Sequence, residues 1–246
     1  MTYWIVAGLA AFLLGMSKGG VPMIAMLSVP MMALFMDPAV AAGLLLPIYI
    51  VADVYAIYLF RKSFSARNLK IMLPGAAAGI LAGYFTVSQV PGDLVKLLVA
   101  AIGFYYLINA LKNRLRKTPV PPRPADLPRG IFWGSLAGLT SYISHAGGPP
   151  FQTYVLPQKL EKMVFLGTTA IFFSAVNLMK VPPYIAAGQI TWESVAQAAW
   201  LAPIAIAGAW SGASIVRRLP ERLFFALVEI TLGLVSVKLV YEVIAG

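Results

Sequence analysis

The chain is predicted to be an all-α, polytopic integral membrane protein made of two inverted-topology repeats, each a broken re-entrant hairpin plus three transmembrane helices. Three observations predict this: the apolar content, six long apolar segments split three and three, and two glycine–proline breaks half a chain apart. Hydrophobic residues make up 60% of the 246 residues and charged residues 11%. Apolar stretches at that density suit lipid rather than the core of a soluble domain. The net charge of +10 sits in short loops between apolar segments. That is positive-inside patterning, and no nucleic-acid partner is expected. With no cysteine and a single histidine, thiolate and multi-histidine metal sites are excluded, and no metal or cofactor is expected. No basic residue precedes the first apolar run, so that run reads as a retained segment and not a signal peptide.

In chain order, residues 2–36 form the first broken hairpin, and 39–60, 71–89 and 94–111 are spans near the ~20 apolar residues a bilayer requires. Residues 112–129 (KNRLRKTPVPPRPADLPR) are an extended cytoplasmic linker. Residues 130–157 form the second hairpin, and 163–186, 194–216 and 223–245 are spans. The expected division is thus a first membrane repeat over 1–111, the linker over 112–129 and a second membrane repeat over 130–246. The halves match in order. Gly19, Gly20 and Pro22 precede Gly147, Gly148 and Pro150 by 128 residues. Pro74, Gly79, Gly83 and Pro91 precede Pro203, Gly208, Gly212 and Pro220 by 129. Gly43 and Asp53 precede Gly167 and Asn177 by 124. A run of such matches indicates duplication.

Lysine and arginine placement sets the topology. If each broken segment enters and returns on one side, 15 of the 19 basic residues fall on one face, in 61–70, 112–129, 158–162 and 217–222. If each crosses, those after the second break move outside. The positive-inside rule favours hairpins. Each half then crosses an odd number of times, and the halves are inverted. The first arm, 2–16, spans about 22 Å, roughly half a bilayer with its headgroups. Both tips are expected near the midplane.

The breaks carry the chemistry. Glycine suits the left-handed position past a helix C-terminus, and proline suits a first helical turn. Gly19-Gly20-Val21-Pro22 and Gly147-Gly148-Pro149-Pro150 each read as a helix ending and another restarting, near Val21 and Pro149. Restarting helices would turn their N-termini to the centre and form an anion site. Packing kinks with glycine contacts are the alternative. Lys18 stands at one tip, where a cation costs about 2.5–3.5 kcal/mol on insertion scales. It is expected to balance a bound anion, with Asp53 as resting partner. His145 stands at the other tip and is a proton carrier by its ordinary pKa. Asp53 and His145 are therefore the proton-coupling candidates. Ser17, Thr140, Ser141, Ser144 and Gln152 offer hydrogen bonds to oxyanion oxygens. The candidate binding set is Ser17, Lys18, Gly19, Gly20, Val21, Ser144, His145, Ala146, Gly147, Gly148 and Gln152. Tyr49, Phe151 and Tyr154 line the cavity or pack the core; Met16, Met23 and Phe151 flank the tips. Lys180 is expected to snorkel to the outer face. Glu229 and Lys238 face each other loosely along one helix. No catalytic arrangement and no Walker lysine motif is present, so neither an enzyme nor an ATP-driven pump is expected.

Gly15 with Ser17-Lys18-Gly19-Gly20 and Pro22, and Gly138 with His145-Ala146-Gly147-Gly148-Pro149-Pro150, resemble the two breaks of the sulfite exporter TauE/SafE family. The resemblance covers essentially the whole chain. It implies a multi-pass protein of the cell membrane that moves sulfite, short organosulfonates or other small sulfur anions, usually outward. It fits a secondary transporter working by alternating access around a midplane anion site, with H+ as a coupling ion. An anion channel of similar build and an uptake permease for a related small anion are the alternatives. Oligomeric state is not set by the residues.

Overall fold

The computed structural model describes residues 2–21, 24–87, 89–116 and 120–245. Pro22, Met23 and Lys117 lie outside the described residues. The described residues are predominantly helical, with no strand among them. The helices are α1 (Thr2–Lys18), α2 (Ser28–Ala33), α3 (Pro38–Phe60), α4 (Ala66–Thr86), α5 (Gly92–Arg114), α6 (Leu127–Ser144), α7 (Gly148–Val155), α8 (Lys162–Ala186), α9 (Trp192–Arg218) and α10 (Glu221–Ala245). Six of them, α3, α4, α5, α8, α9 and α10, are long and apolar enough to cross a membrane. They correspond one to one with the six spans read from the sequence. Large apolar side chains stand exposed along them, among them Val54, Phe85, Ile108 and Leu234. Such faces are stable against lipid rather than water.

The residual differences lie at helix ends. α4 starts at Ala66 because the Ser65 side chain accepts from the Asn68 N–H, the usual N-cap bond. α9 starts at Trp192 through a capping box between Thr191 and Ser194. α6 reaches back to Leu127, inside the expected linker, because Asp126 caps the Arg129 N–H at 3.0 Å. The Arg129 guanidinium also holds the Asp126 carboxyl below its ordinary range. That cap is fully formed at neutral pH and is lost as the carboxylate protonates in acid.

Helix packing divides the chain into two compact units, and each draws on both sequence halves. The first comprises Met1–Phe64 and Leu166–Phe224. In it α1 lies along α9, and α3 packs on both. Its core is Ala7, Ala10, Ala11 and Leu14 of α1, Leu44, Leu45, Ile48 and Ala52 of α3, and Ala198, Leu201 and Ala205 of α9. The α1–α9 approach is close because it is made by small residues. A Cβ on Gly15 would collide with the Ala205 carbonyl, and one on Gly208 with that of Phe12. In lipid, packing of this kind replaces the hydrophobic effect as the force between helices.

The second unit comprises Ser65–Phe165 and Phe225–Gly246. There α4 lies along α6 in the same manner. Gly79 faces the Ser135 carbonyl, and Gly138 faces that of Ala76. Asn68 and Gln158 exchange two amide hydrogen bonds, at 2.9 and 3.1 Å, in a buried position. Glu229 of α10 accepts from Tyr106 at 3.0 Å and pairs with Arg114, both from α5. Lys238 pairs instead with Glu242 one turn on, at 2.5 Å. The expected Glu229–Lys238 relation is therefore corrected. Nine residues place the two side chains about two and a half turns apart on a helix, and each finds a nearer partner.

Both broken segments fold back on themselves. In the first, the Ser28 hydroxyl of α2 donates to the Ala10 carbonyl of α1 at 2.9 Å. Tyr3 at the start of α1 meets the Phe35 ring beyond α2, centroid to centroid 5.9 Å. In the second, the Tyr154 hydroxyl donates to the Asp126 carbonyl at 2.9 Å. The Arg123 N–H donates to the Pro157 carbonyl at 3.0 Å, and Lys159 Nζ to the Val120 carbonyl at 2.6 Å. The beginning and end of each hairpin are thereby held together. These bonds also dock residues 120–126 of the linker onto the turn after α7.

Candidate functional site

The two breaks are built differently. At the first, α1 ends in a Schellman motif: the Val21 N–H reaches the Met16 carbonyl at 3.1 Å and the Gly20 N–H that of Ser17 at 3.0 Å. Gly20 takes φ +109°, which only glycine adopts freely. The chain restarts as a one-turn 3-10 helix, Ile24–Leu27, before the short α2. At the second break the left-handed residue is His145, with φ 52°, whereas the sequence assigned helix termination to glycine. Gly147 and Gly148 instead open α7, with Pro149 in its first turn. A well-formed helix therefore restarts at the second tip, while a 3-10 turn restarts at the first. The expectation of two matching helix N-termini is corrected accordingly.

His145 thus has a backbone role that its chemistry did not suggest. His145→Gly is expected to leave the thermal midpoint unchanged or raised. His145→Val, β-branched at a positive φ, is expected to cost about 1–3 kcal/mol. Equal midpoints for the two variants would show that the left-handed turn is not enforced there.

The charged cluster of the first unit lies just before its break. Lys18 is in the last turn of α1, and Nζ is 2.6 Å from Asp53 Oδ1 of α3. The two side chains are 10% and 4% exposed. The other carboxylate oxygen, Oδ2, accepts from Asn177 Nδ2 of α8 at 2.6 Å. The residues that correspond across the sequence repeat, Asp53 and Asn177, therefore touch. Lys18 Nζ also lies 5.0 Å from the Tyr49 ring centroid and 5.9 Å from that of Phe173. Aromatic faces at this range attract a cation. The local sequence explains the arrangement. Tyr49 and Asp53 are four apart on α3, as are Phe173 and Asn177 on α8, so each pair shares a helix face.

Lys180 was missed as a member of this cluster. It is fully buried, not snorkelled to the outer face as its position near a helix end suggested. One turn beyond Asn177 on the same face, it places Nζ 5.8 Å from the Tyr184 ring centroid. The stripe Phe173, Asn177, Lys180, Tyr184 at three- and four-residue spacing was the available signal.

The tip of the second unit is polar without a cation. Ser144 and Thr140 donate their hydroxyls to the Thr140 and Leu136 carbonyls of their own helix, at 3.1 and 2.7 Å. In this conformation those hydroxyl protons are engaged within the helix. Ala146 and Gly147 are buried, and His145 and Gly148 are half-buried. Gln152 is buried, and its Oε1 meets no hydrogen-bond donor among the described residues. Phe151 is fully buried and packs on Phe165. Tyr154 closes the hairpin base and is not at the tip. Ser17 at the first tip is half-buried beside Lys18. Among the described residues no cluster of three metal-ligating side chains occurs.

Comparison with curated proteins and with solved structures returns no match. The family model described as "Sulfite exporter TauE/SafE" matches residues 4–239. That range takes in all six membrane-crossing helices and both broken hairpins, so this multi-pass membrane protein belongs to the sulfite exporter TauE/SafE family of membrane transporters.

Proposed function

We propose that the protein is a secondary transporter of the cell membrane that exports sulfite or short organosulfonates by alternating access. The observation that carries this reading is Lys18. A lysine beside a helix break, shielded from solvent and held by one carboxylate, is a cation kept in reserve for a second anion. At the first tip the ammonium and Ser17 serve the anion, while Gly19, Gly20 and Val21, whose N–H groups close the end of α1, shape the turn beside it. Ser144, His145, Ala146, Gly147, Gly148 and Gln152 serve along the anion's route at the second, where the start of α7 adds a positive helix end. Diffuse donors of this kind suit the three similar oxygens of a sulfite or sulfonate head. No arginine lies within either tip sequence, so the bidentate fork that favours carboxylate and phosphate is missing. Asp53 and His145 are the groups that would couple the cycle to protons. The two closed hairpins, each followed by three spanning helices, support inverted repeats with the 112–129 linker inside.

Reconstituted protein should therefore show saturable flux of sulfite, thiosulfate and a two-carbon sulfonate, preferred over acetate and phosphate, with sulfate the closest competitor. Preference for acetate or phosphate over every sulfur compound would refute the assignment. His145→Gly, which keeps the turn, is expected to change the pH profile of this flux more than its half-saturation. An unchanged profile would leave His145 its turn-forming role alone.

A further inference from the structure

The second tip holds an acceptor where an anion asks for donors. The first hydrogen bond of α7 runs from the Phe151 N–H to the Gly147 carbonyl at 3.3 Å. Gly147 and Gly148 stand ahead of it, so their N–H groups fall outside the α7 ladder. Pro149 and Pro150 carry no N–H. The start of this eight-residue helix therefore offers an anion two backbone donors and a positive helix end. Gln152 lies one turn in from Gly148 on the same face, and long side chains on a helix lean toward its N-terminus. Its amide is thus directed back over the Gly147 and Gly148 donors. Gln152 is 7% exposed, and its Oε1 meets no donor among the described residues. The side-chain donors closest to it in the chain are spent elsewhere. The Thr153 hydroxyl goes to the Pro149 carbonyl at 2.9 Å, that of Tyr154 to the Asp126 carbonyl, and those of Thr140 and Ser144 to their own helix. A buried amide oxygen without a donor lowers stability unless a ligand supplies one.

We propose that Gln152 reads a hydrogen-bond donor on the transported anion, so that the second tip selects sulfur oxyanions carrying their own O–H or N–H, such as a hydroxyalkanesulfonate or hydrogen sulfite, over those that carry none. This rests on the anion-transport reading above and narrows its substrate class. Oxygens of the anionic head accept from the Gly147 and Gly148 N–H groups. Those groups do nothing for Oε1, and a bare oxyanion brought beside it sets one acceptor against another. A hydroxyl on the same ligand removes the conflict by donating to Oε1. The amide is then satisfied by the cargo and not by the fold. A site built to bond a substrate O–H discriminates sharply against the analogue without it, because the analogue leaves a buried polar group unpaired.

The test is titration calorimetry on the full chain in nanodiscs with hydroxyethanesulfonate and propanesulfonate, which differ by a hydroxyl in place of a methyl. Apolar burial alone would favour the methyl compound. The parent should instead bind the hydroxyl compound about 10-fold more tightly. Gln152→Met, close in volume and without the amide acceptor, should bring that ratio to about one or invert it. Measured without ligand, Gln152→Met should keep or raise the thermal midpoint, since it removes an unpaired buried amide. A lowered midpoint would show that the fold itself uses the amide and would overturn the inference. So would a parent that does not prefer the hydroxyl compound, or a Gln152→Met variant that still does. Each of these results leaves the transport reading standing. Failure of the parent to bind either sulfonate would overturn both the inference and the transport reading.

Discussion

Lys18→Ala should abolish high-affinity sulfite binding, with a loss on the order of 100-fold, and Lys18→Glu should leave none. The magnitude follows from removing a charged partner from a desolvated site, which typically costs about 2–5 kcal/mol of binding. The structure adds a second consequence. Lys18 Nζ sits 2.6 Å from Asp53 Oδ1, so the alanine variant leaves a buried carboxylate whose remaining bond is the one from Asn177. Breaking a buried pair from one side destabilises by about 3–5 kcal/mol. A bare loss of binding in Lys18→Ala would therefore mix two effects. The double variant Lys18→Ala/Asp53→Asn separates them, since it removes the stranded charge as well. It is expected to regain thermal stability and to remain deficient in sulfite binding. If the double variant binds sulfite as the parent does, Lys18 exists to neutralise Asp53 and the site lies elsewhere.

Cysteines introduced singly at Pro122 and Ala245 should react with an impermeant maleimide from opposite sides of intact cells, Ala245 from outside and Pro122 only after permeabilisation. The chain contains no cysteine, so each label reports one position. The expectation rests on two observations. With returning hairpins, 15 of the 19 basic residues fall on the linker face, and positive loops stay inside. Each hairpin also closes at its base, through Tyr3 and Phe35 in one case and through Tyr154 and Asp126 in the other. A returning hairpin adds no crossing, which leaves three spans in each half. Three is odd, and the halves must then be inverted. Labelling of both cysteines from the same side would remove the inverted arrangement. It would leave the six spans and the family assignment intact.

The sequence by itself determined the helical class, the number of spans, the two breaks and the family. These are local or compositional properties. About 20 apolar residues in a row leave the backbone no option in lipid but a helix, and Ser17-Lys18-Gly19-Gly20 stands out by residue type alone. Helix ends were less legible. Span 71–89 became Ala66–Thr86 because a hydropathy reading sees the apolar middle and not the polar first turn that Ser65 caps. The role of His145 was misread for a related reason, since a left-handed turn residue is usually glycine and glycines stood nearby. Only the tertiary structure decided what the charged side chains do. Lys18, Asp53, Asn177 and Lys180 come from α1, α3 and α8, and nothing in their own neighbourhoods states which faces will meet. Lys180 shows the difference most plainly. Near the end of a membrane helix, a long side chain has water within reach, and snorkelling is the local answer. Packing turned the stripe of Phe173, Asn177, Lys180 and Tyr184 inward instead. The unit thus holds a buried lysine whose burial only the packing around α8 explains.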